Sequence, residues 1–180
     1  MVRAPSSHGG GRWFESSRTH QIPFRGSQPQ GERRMTETLP HANLSMDSIE
    51  EDFAFFDSWE DRYGYVIDLG RSLPPFPDAY RDDAHQVRGC QSQVWMVTDL
   101  EDGLFRLAVD SDALIVKGLG ALVMAALDSL PPAEAAGIDV FDLFERLGLL
   151  KHLSPTRGNG LRAMVERAQR SAAQLSATTD

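Results

Sequence analysis

The feature that constrains this chain most is a short β-signal set between long helical ones. Gln93 to Leu100 alternates as a strand with Val94 and Met96 or their neighbours facing the core, Glu101-Asp102-Gly103 reads as a hairpin turn, and Leu104 to Asp110 returns. On the returning strand Leu104, Arg106 and Ala108 alternate against Phe105, Leu107 and Val109. Val87 starts a short preceding strand ending at Cys90. Before the hairpin, Ser48 to Glu51 fits a capping box, and Phe53, Phe56, Trp59 and Tyr63 recur at helical spacing as core residues. One helix is therefore predicted from Ile49 to a C-cap at Gly70, followed by an extended loop around Pro74, Pro75 and Pro77. After the hairpin, Asp110-Ser111-Asp112 offers N-cap oxygens to a helix over 113–130, stopped by Pro131-Pro132. Two short helices follow, and Ser154-Pro155 starts a last helix that runs to about Gln174. Strands bunched between helices, without βαβ alternation, predict an α+β fold.

Charge divides the chain in two. Met1 to Arg34 holds six arginines and two glutamates, and subtracting that +4 from the chain's −8 leaves −12 on the rest. Rich in Gly, Ser and Gln and without periodicity, the first segment is expected to be disordered. Three readings stand open for it: an upstream start mistaken for the true one, an organellar transit peptide, or a weak nucleic-acid arm. The first draws on Trp13-Phe14-Glu15-Ser16, whose back-translation resembles the T-arm of a transfer-RNA gene, with Met35 as the alternative start. Residues 1–45 are accordingly expected to be a disordered or spurious extension and residues 46–180 the working domain. Two lysines against sixteen arginines suggest a GC-rich bacterial genome. The acidic balance argues against nonspecific binding to nucleic acid or an anionic membrane. The longest apolar run, Ala121 to Leu127, is too short for a bilayer.

Cys90 is the chain's single cysteine, which excludes an internal disulfide framework, multi-cysteine zinc sites and a cluster held by this chain's thiolates alone. A lone cysteine is commonly a small buried hydrophobe. Here it follows Gly89 in the polar stretch Arg88 to Gln93, which places the thiol on a bent loop with Arg88, and less directly His85, able to favour the thiolate. Context alone leaves the structural and functional readings balanced. A cysteine hydrolase would need His85 or His152 as base, since these are the histidines within the predicted domain. Asp110 and Asp112 suit helix capping better than metal binding. Lys117-Gly118-Leu119-Gly120 reverses the order of a phosphate-binding loop, and its glycines instead permit close packing, with the cysteine loop as one candidate neighbour.

Gly89-Cys90-Gln91-Ser92-Gln93-Val94-Trp95 resembles the signature of the SufE/CsdE family of sulfur acceptors. Two further blocks agree in order and spacing: Asp110 to Ala113 with Ile115 to Leu119, and His152 to Arg157 with Gly160, Leu161 and Met164. The resemblance covers roughly Ser48 to Ala173. It implies a small antiparallel sheet packed by helices, SufE/IscU-like. It implies, too, that Cys90 takes persulfide sulfur from a pyridoxal-phosphate cysteine desulfurase of the SufS/CsdA type, stimulates that enzyme, and passes sulfur to a SufB-type scaffold complex. No bound cofactor is implied beyond a transient persulfide on Cys90, and the chain is expected to be a carrier and activator in the bacterial cytoplasm, not a stand-alone enzyme. Arg88, Gly89, Gln91, Ser92, Gln93 and Arg157 would support the loop, although turn polarity explains the glutamines and serine equally well, and Arg157 reads equally as a solvated side chain. Trp95 is expected in the core. A homodimer is left open. Cluster scaffolds need several cysteine ligands, which argues against that role; a non-carrier adapter of the desulfurase is the alternative.

Overall fold

The computed structural model describes residues 38–179. At its centre Asp102 and Gly103 both adopt positive φ, 53° and 79°, the two-residue turn whose twist matches paired strands. It joins β1 (Val94–Glu101) to β2 (Leu104–Ser111), antiparallel and in register from Val94 opposite Ser111 to Glu101 opposite Leu104. Helices α1 (Met46–Phe55) and α2 (Trp59–Ser72) precede the hairpin, with a 3₁₀ turn at Asp78–Tyr80 between. Helices α3 (Leu114–Leu127), α4 (Pro132–Gly137), α5 (Val140–Arg146) and α6 (Pro155–Thr179) follow, with a second 3₁₀ turn at Leu149–His152 before α6. The architecture is α+β, a two-stranded sheet packed by six helices among the described residues.

Helix α3 is the axis of the core. Its Gly118 to Met124, then Ala126 and Leu127, are buried, so it is apolar on nearly every side and must be surrounded. Phe105, Leu107 and Val109 of β2 with Val94 and Met96 of β1 belong to the same buried cluster, joined by Leu161, Met164, Val165 and Ala168 of α6. The glycines in α3 provide close approach, but not to the cysteine loop. A Cβ at Gly118 would overlap the Val66 carbonyl of α2, and one at Gly120 would come within 2.6 Å of a Val109 methyl. Gly70 completes this contact from the α2 side, where a Cβ would lie 2.6 Å from the Gly118 nitrogen. Gly70 is thus a packing residue inside α2 and not a helix cap; the cap is Leu73.

Several predicted boundaries move for local reasons. The single helix expected from Ile49 is two. Ser45, not Ser48, is the first cap, accepting the Ser48 N–H at 3.5 Å. The break at 56–58 is held by Ser58, whose Oγ accepts the Asp61 N–H at 3.1 Å, and by Arg62, which donates to the Phe56 carbonyl at 3.0 and 3.3 Å. Phe53 is buried, whereas Phe56, Trp59 and Tyr63 are half-buried. Helix α3 stops before the prolines because Asp128 turns back to β2: its carboxylate accepts the Leu107 N–H at 2.8 Å, and Phe105 exchanges backbone bonds with Ser129 and Leu130. Pro131 and Pro132 instead open α4. Val87 forms no strand of its own; a single bridge joins Gln86 to Trp95. Ser154-Pro155 opens α6 as expected, with the Gly158 N–H bonded to the Ser154 carbonyl at 2.9 Å, but the helix extends to Thr179.

The expected N-terminal extension lies largely outside the described residues, and the end that is described is not loose. Leu39 is buried, Ala42 and Leu44 pack on the core, and His41 pairs with Glu101 at 3.2 Å. Short apolar residues spaced among polar ones carry no periodicity to detect. The backbone contact at Gly118 has a measurable consequence. Gly118→Ala is expected to destabilise the protein by about 3 kcal/mol in urea unfolding, at the severe end of overpacking. Gly64→Ala, on the exposed face of α2 with open space at its Cβ, is expected to stabilise it by about 0.5–1 kcal/mol.

Candidate functional site

The polar stretch around Cys90 becomes a loop closed at its base. The Val87 N–H donates to the Val94 carbonyl at 2.8 Å, and the Met96 N–H to the His85 carbonyl at 2.9 Å. On the far strand, Gln93 is clamped through its backbone. Its N–H donates to the Asp112 carboxylate at 3.0 Å, while its carbonyl accepts the Ser111 hydroxyl at 2.8 Å and the Asp112 N–H at 3.2 Å. On the near strand, Arg167 of α6 donates to the carbonyls of Gln86 and Ala84 at 2.6 and 2.9 Å. Between these fixed ends Gly89 takes φ +96°, a conformation that side-chain-bearing residues rarely adopt, and directs the chain so that Cys90 turns back toward α6.

Cys90 is half-buried over that helix. Its thiol lies 3.6 Å from the Gly160 carbonyl, to which it donates a weak bond, and a Cβ on Gly160 would stand 3.3 Å from the sulfur. The sulfur borders a hollow of about 140 Å³. Ile115, Val116 and Leu119 of α3 with Leu161 and Met164 of α6 give it apolar walls, and Gln91, Ser92, Thr156 and Arg157 supply polar groups. Burial pushes the Cys90 thiol pKa up, so the resting group is a neutral thiol.

The structure brings Cys90, Gln91, Ser92 and Arg157 to one hollow, with Gly89 shaping the loop and Gln93 anchoring it. Arg88 is not among them. It is exposed and lines a separate groove with Glu166, Arg167 and Arg170, and no charge offsets the effect of burial on the thiol. The expectation that Arg88 favours the thiolate is therefore corrected: the turn at Gly89 sends the two side chains to different sides. The histidines are elsewhere. His85 pairs with Asp82 at 2.7 Å and meets the Tyr80 ring edge-on, and His152 stacks on Trp59 at 3.5 Å. Neither borders the hollow, so neither stands where the cysteine-hydrolase reading needs its base. Among the described residues no group of three metal-ligating side chains forms.

Asp110 neither caps a helix nor awaits a metal. Its buried carboxylate pairs with Arg81 and, at 2.8 Å, with Lys117. Arg81 also lies over the rings of Phe76 and Trp95 at 5.5 Å each, so Trp95 is half-buried under a cation and not fully in the core. The sequence signal was present: Lys117 is the one charge in an otherwise apolar α3, and such a charge requires a partner. Gly160 and Arg167 carried no comparable signal, because their partners are residues at least 70 positions away.

Residues 47–172 match the family model of SufE, the Fe–S metabolism associated domain. The chain belongs to the SufE family. A SufE-like protein of Rhizobium meliloti (strain 1021) is 49% identical over 127 residues, covering 68% of this chain and 91% of that protein. One from Rhizobium etli is 44% identical over 148 residues, covering 80% and 95%. A hypothetical protein of Thermus thermophilus, solved in solution, shares the fold with a TM-score of 0.61 at 23% identity, covering 74% of this chain and 96% of its own. SufE membership ties the chain to iron–sulfur metabolism. Among the described residues no helix is long and apolar enough to cross a membrane.

The sheltered thiol makes a testable prediction. Only the thiolate reacts with iodoacetamide, and burial favours the neutral form. The alkylation rate of the folded protein is therefore expected to rise with pH through a midpoint above that of the urea-unfolded chain, which lies at about 8.5. Gly160→Ala is expected to displace the sulfur from the hollow and raise the alkylation rate at fixed pH, at a stability cost of roughly 1 kcal/mol.

Proposed function

We propose that this SufE-family protein is a sulfur acceptor that takes persulfide sulfur from a pyridoxal-phosphate cysteine desulfurase of the SufS/CsdA type onto Cys90. It stimulates that desulfurase and passes the sulfur to a SufB-type cluster-assembly scaffold in the bacterial cytoplasm. The observation that carries this reading is the placement of the chain's single thiol on a loop closed at both ends, facing a hollow with apolar walls and, among the described residues, without a histidine beside it. That arrangement suits a group that stores sulfur better than one that turns over a substrate.

The transfer is a displacement at sulfur. Cys90 loses its proton, and its thiolate attacks the outer sulfur of the desulfurase persulfide. The bond between Cys90 Sγ and that sulfur forms as the bond to the desulfurase cysteine breaks. The desulfurase cysteine departs as a thiolate and takes up a proton, so no net oxidation occurs. Docking must release the thiol from Gly160 and favour its ionised form, because the resting environment favours the neutral one. After transfer, the outer sulfur of the Cys90 persulfide is the group that needs protection from reductants and oxidants, and the hollow bordered by Leu119 and Met164 supplies apolar shelter beside it. A single cysteine serves this role, since a second nearby thiol would resolve the persulfide into a disulfide.

Incubation with a cysteine desulfurase and cysteine, followed by intact-mass measurement, is expected to add one sulfur atom, about 32 Da, to the wild-type chain and nothing to Cys90→Ser. Stimulation of the desulfurase by Cys90→Ser at the wild-type level, without the adduct on the wild type, would assign the protein the role of adapter instead.

A further inference from the structure

The groove that receives Arg88 is a second hollow beside the cysteine loop, and its chemistry differs from the first. It measures about 220 Å³ and is lined by Val87, Arg88, Ala163, Glu166, Arg167 and Arg170. One face of α6 links the two hollows. Gly160 lies against the Cys90 sulfur, Ala163 lies under Gly89, and Arg167 holds the carbonyls at the loop's base. Arg170 comes one turn later, about 15 Å along the helix from Gly160 at about 1.5 Å per residue.

Arg167 is engaged with the carbonyls of Gln86 and Ala84, but the other charges of this groove are not spent within the molecule. Arg88 and Arg170 make no ion pair among the described residues, although Arg62, Arg81, Arg106, Arg146 and Arg162 all have carboxylate, carbonyl or aromatic partners. Glu166 is the groove's one carboxylate and makes no ion pair among the described residues either. Arg167 is partly buried and lines the groove with Arg170; its burial first, and the charge of Arg170 second, lower its pKa. The surroundings make the contrast plain: residues 35–180 carry −12, yet the charged residues of α6 are four arginines and one glutamate.

We propose that the groove formed by Arg88, Arg167 and Arg170 docks a carboxylate-bearing segment of the desulfurase, fixing that enzyme's orientation over Cys90. This deepens the sulfur-acceptor reading and rests on it. The anion is assigned to a protein segment because a short acidic stretch feels the field only within about 8–10 Å at moderate salt, whereas an extended polyanion meets the acidic remainder of the surface. The groove is separate from the hollow that the Cys90 sulfur borders, so its arginines are positioning residues. Their contribution belongs to encounter and orientation, and it must be salt-dependent.

The test compares the wild type, Arg88→Glu/Arg170→Glu, and Arg71→Glu/Arg146→Glu, which makes the same charge change at arginines outside the groove. Desulfurase binding is measured directly at low and high salt, together with the rate of Cys90 persulfide formation at limiting and saturating acceptor. The groove variant is expected to bind about tenfold more weakly at low salt. The loss should shrink at high salt, while the saturated transfer rate and the alkylation rate of free Cys90 stay at wild-type values. The control variant is expected to lose less than the groove variant. Equal losses in both variants, an unchanged salt dependence, or tighter binding of the wild type to a single-stranded oligonucleotide than to the desulfurase would each overturn the proposal. The sulfur-acceptor reading fails separately: a wild type that binds the desulfurase but gains no persulfide refutes it, and the binding comparison still decides the groove.

Discussion

The Val66 carbonyl of α2 rests against Gly118 of α3 with no side chain between them, and the arrangement of the remaining elements follows from that contact. Two backbones meeting this closely fix the axial register of α3 as well as its rotation. Gly120, two residues further on, lets a Val109 methyl of β2 approach closely as well, so the same helix sets the height of the hairpin. Its N-terminal approach, Ser111 and Asp112, then holds both backbone groups of Gln93. A thiol on an exposed loop is thereby tied, through the Gln93 clamp, to the most buried helix of the fold. The ion pairs of Asp110 with Arg81 and Lys117 reinforce the tie: the carboxylate is buried between two cations, and without it Lys117 would lose its counter-ion.

Rigidity at the base and shelter at the tip set two demands on Cys90 that oppose each other. Shelter requires an apolar surface near the sulfur, and that surface raises the thiol pKa. Reactivity requires the thiolate. A free-standing cysteine enzyme would resolve the conflict with a permanent histidine or arginine beside the sulfur, but here His85 pairs with Asp82, His152 stacks on Trp59 and Arg88 faces another groove. The conflict is resolved if ionisation waits for a partner. The loop itself provides for this, since the thiol at its tip makes one long contact to Gly160 while the strong bonds lie at the ends.

The parts of this structure legible in the sequence are those written in neighbouring residues. The Asp102-Gly103 turn, the Ser154-Pro155 start and the polar loop behind Gly89 are local signals with one physical meaning each. Where the expectation and the structure part, a distant partner intervenes. Gly70 has the look of a helix terminus until Gly118 is placed opposite it. Asp128 looks like one more helical residue before the prolines, but the Leu107 N–H captures it. The aromatic run from Phe53 to Tyr63 keeps a helical period across a break, because both helices turn the same face to the core and periodicity cannot register three residues lost between them. Arg88 misleads for the opposite reason. Two residues of sequence separation suggest proximity to Cys90, but a positive-φ residue between them reverses the direction of the chain.

Net charge needs the same correction from sum to place. A balance of −12 over residues 35–180 describes the field far from the protein, where an approaching partner responds to the whole surface. Within a Debye length the sum loses meaning, and the nearest groups govern. Of the charged residues that line the two hollows, Arg157 stands at one and Arg88, Arg167 and Arg170 at the other, against Glu166 alone. The two scales act in sequence on the same partner. A surface that is acidic at long range discourages polyanions, and one that is basic beside the thiol rewards a partner able to present a carboxylate there and nowhere else. Selectivity of this kind, under the docking proposed for the groove, needs no additional contact at the sulfur.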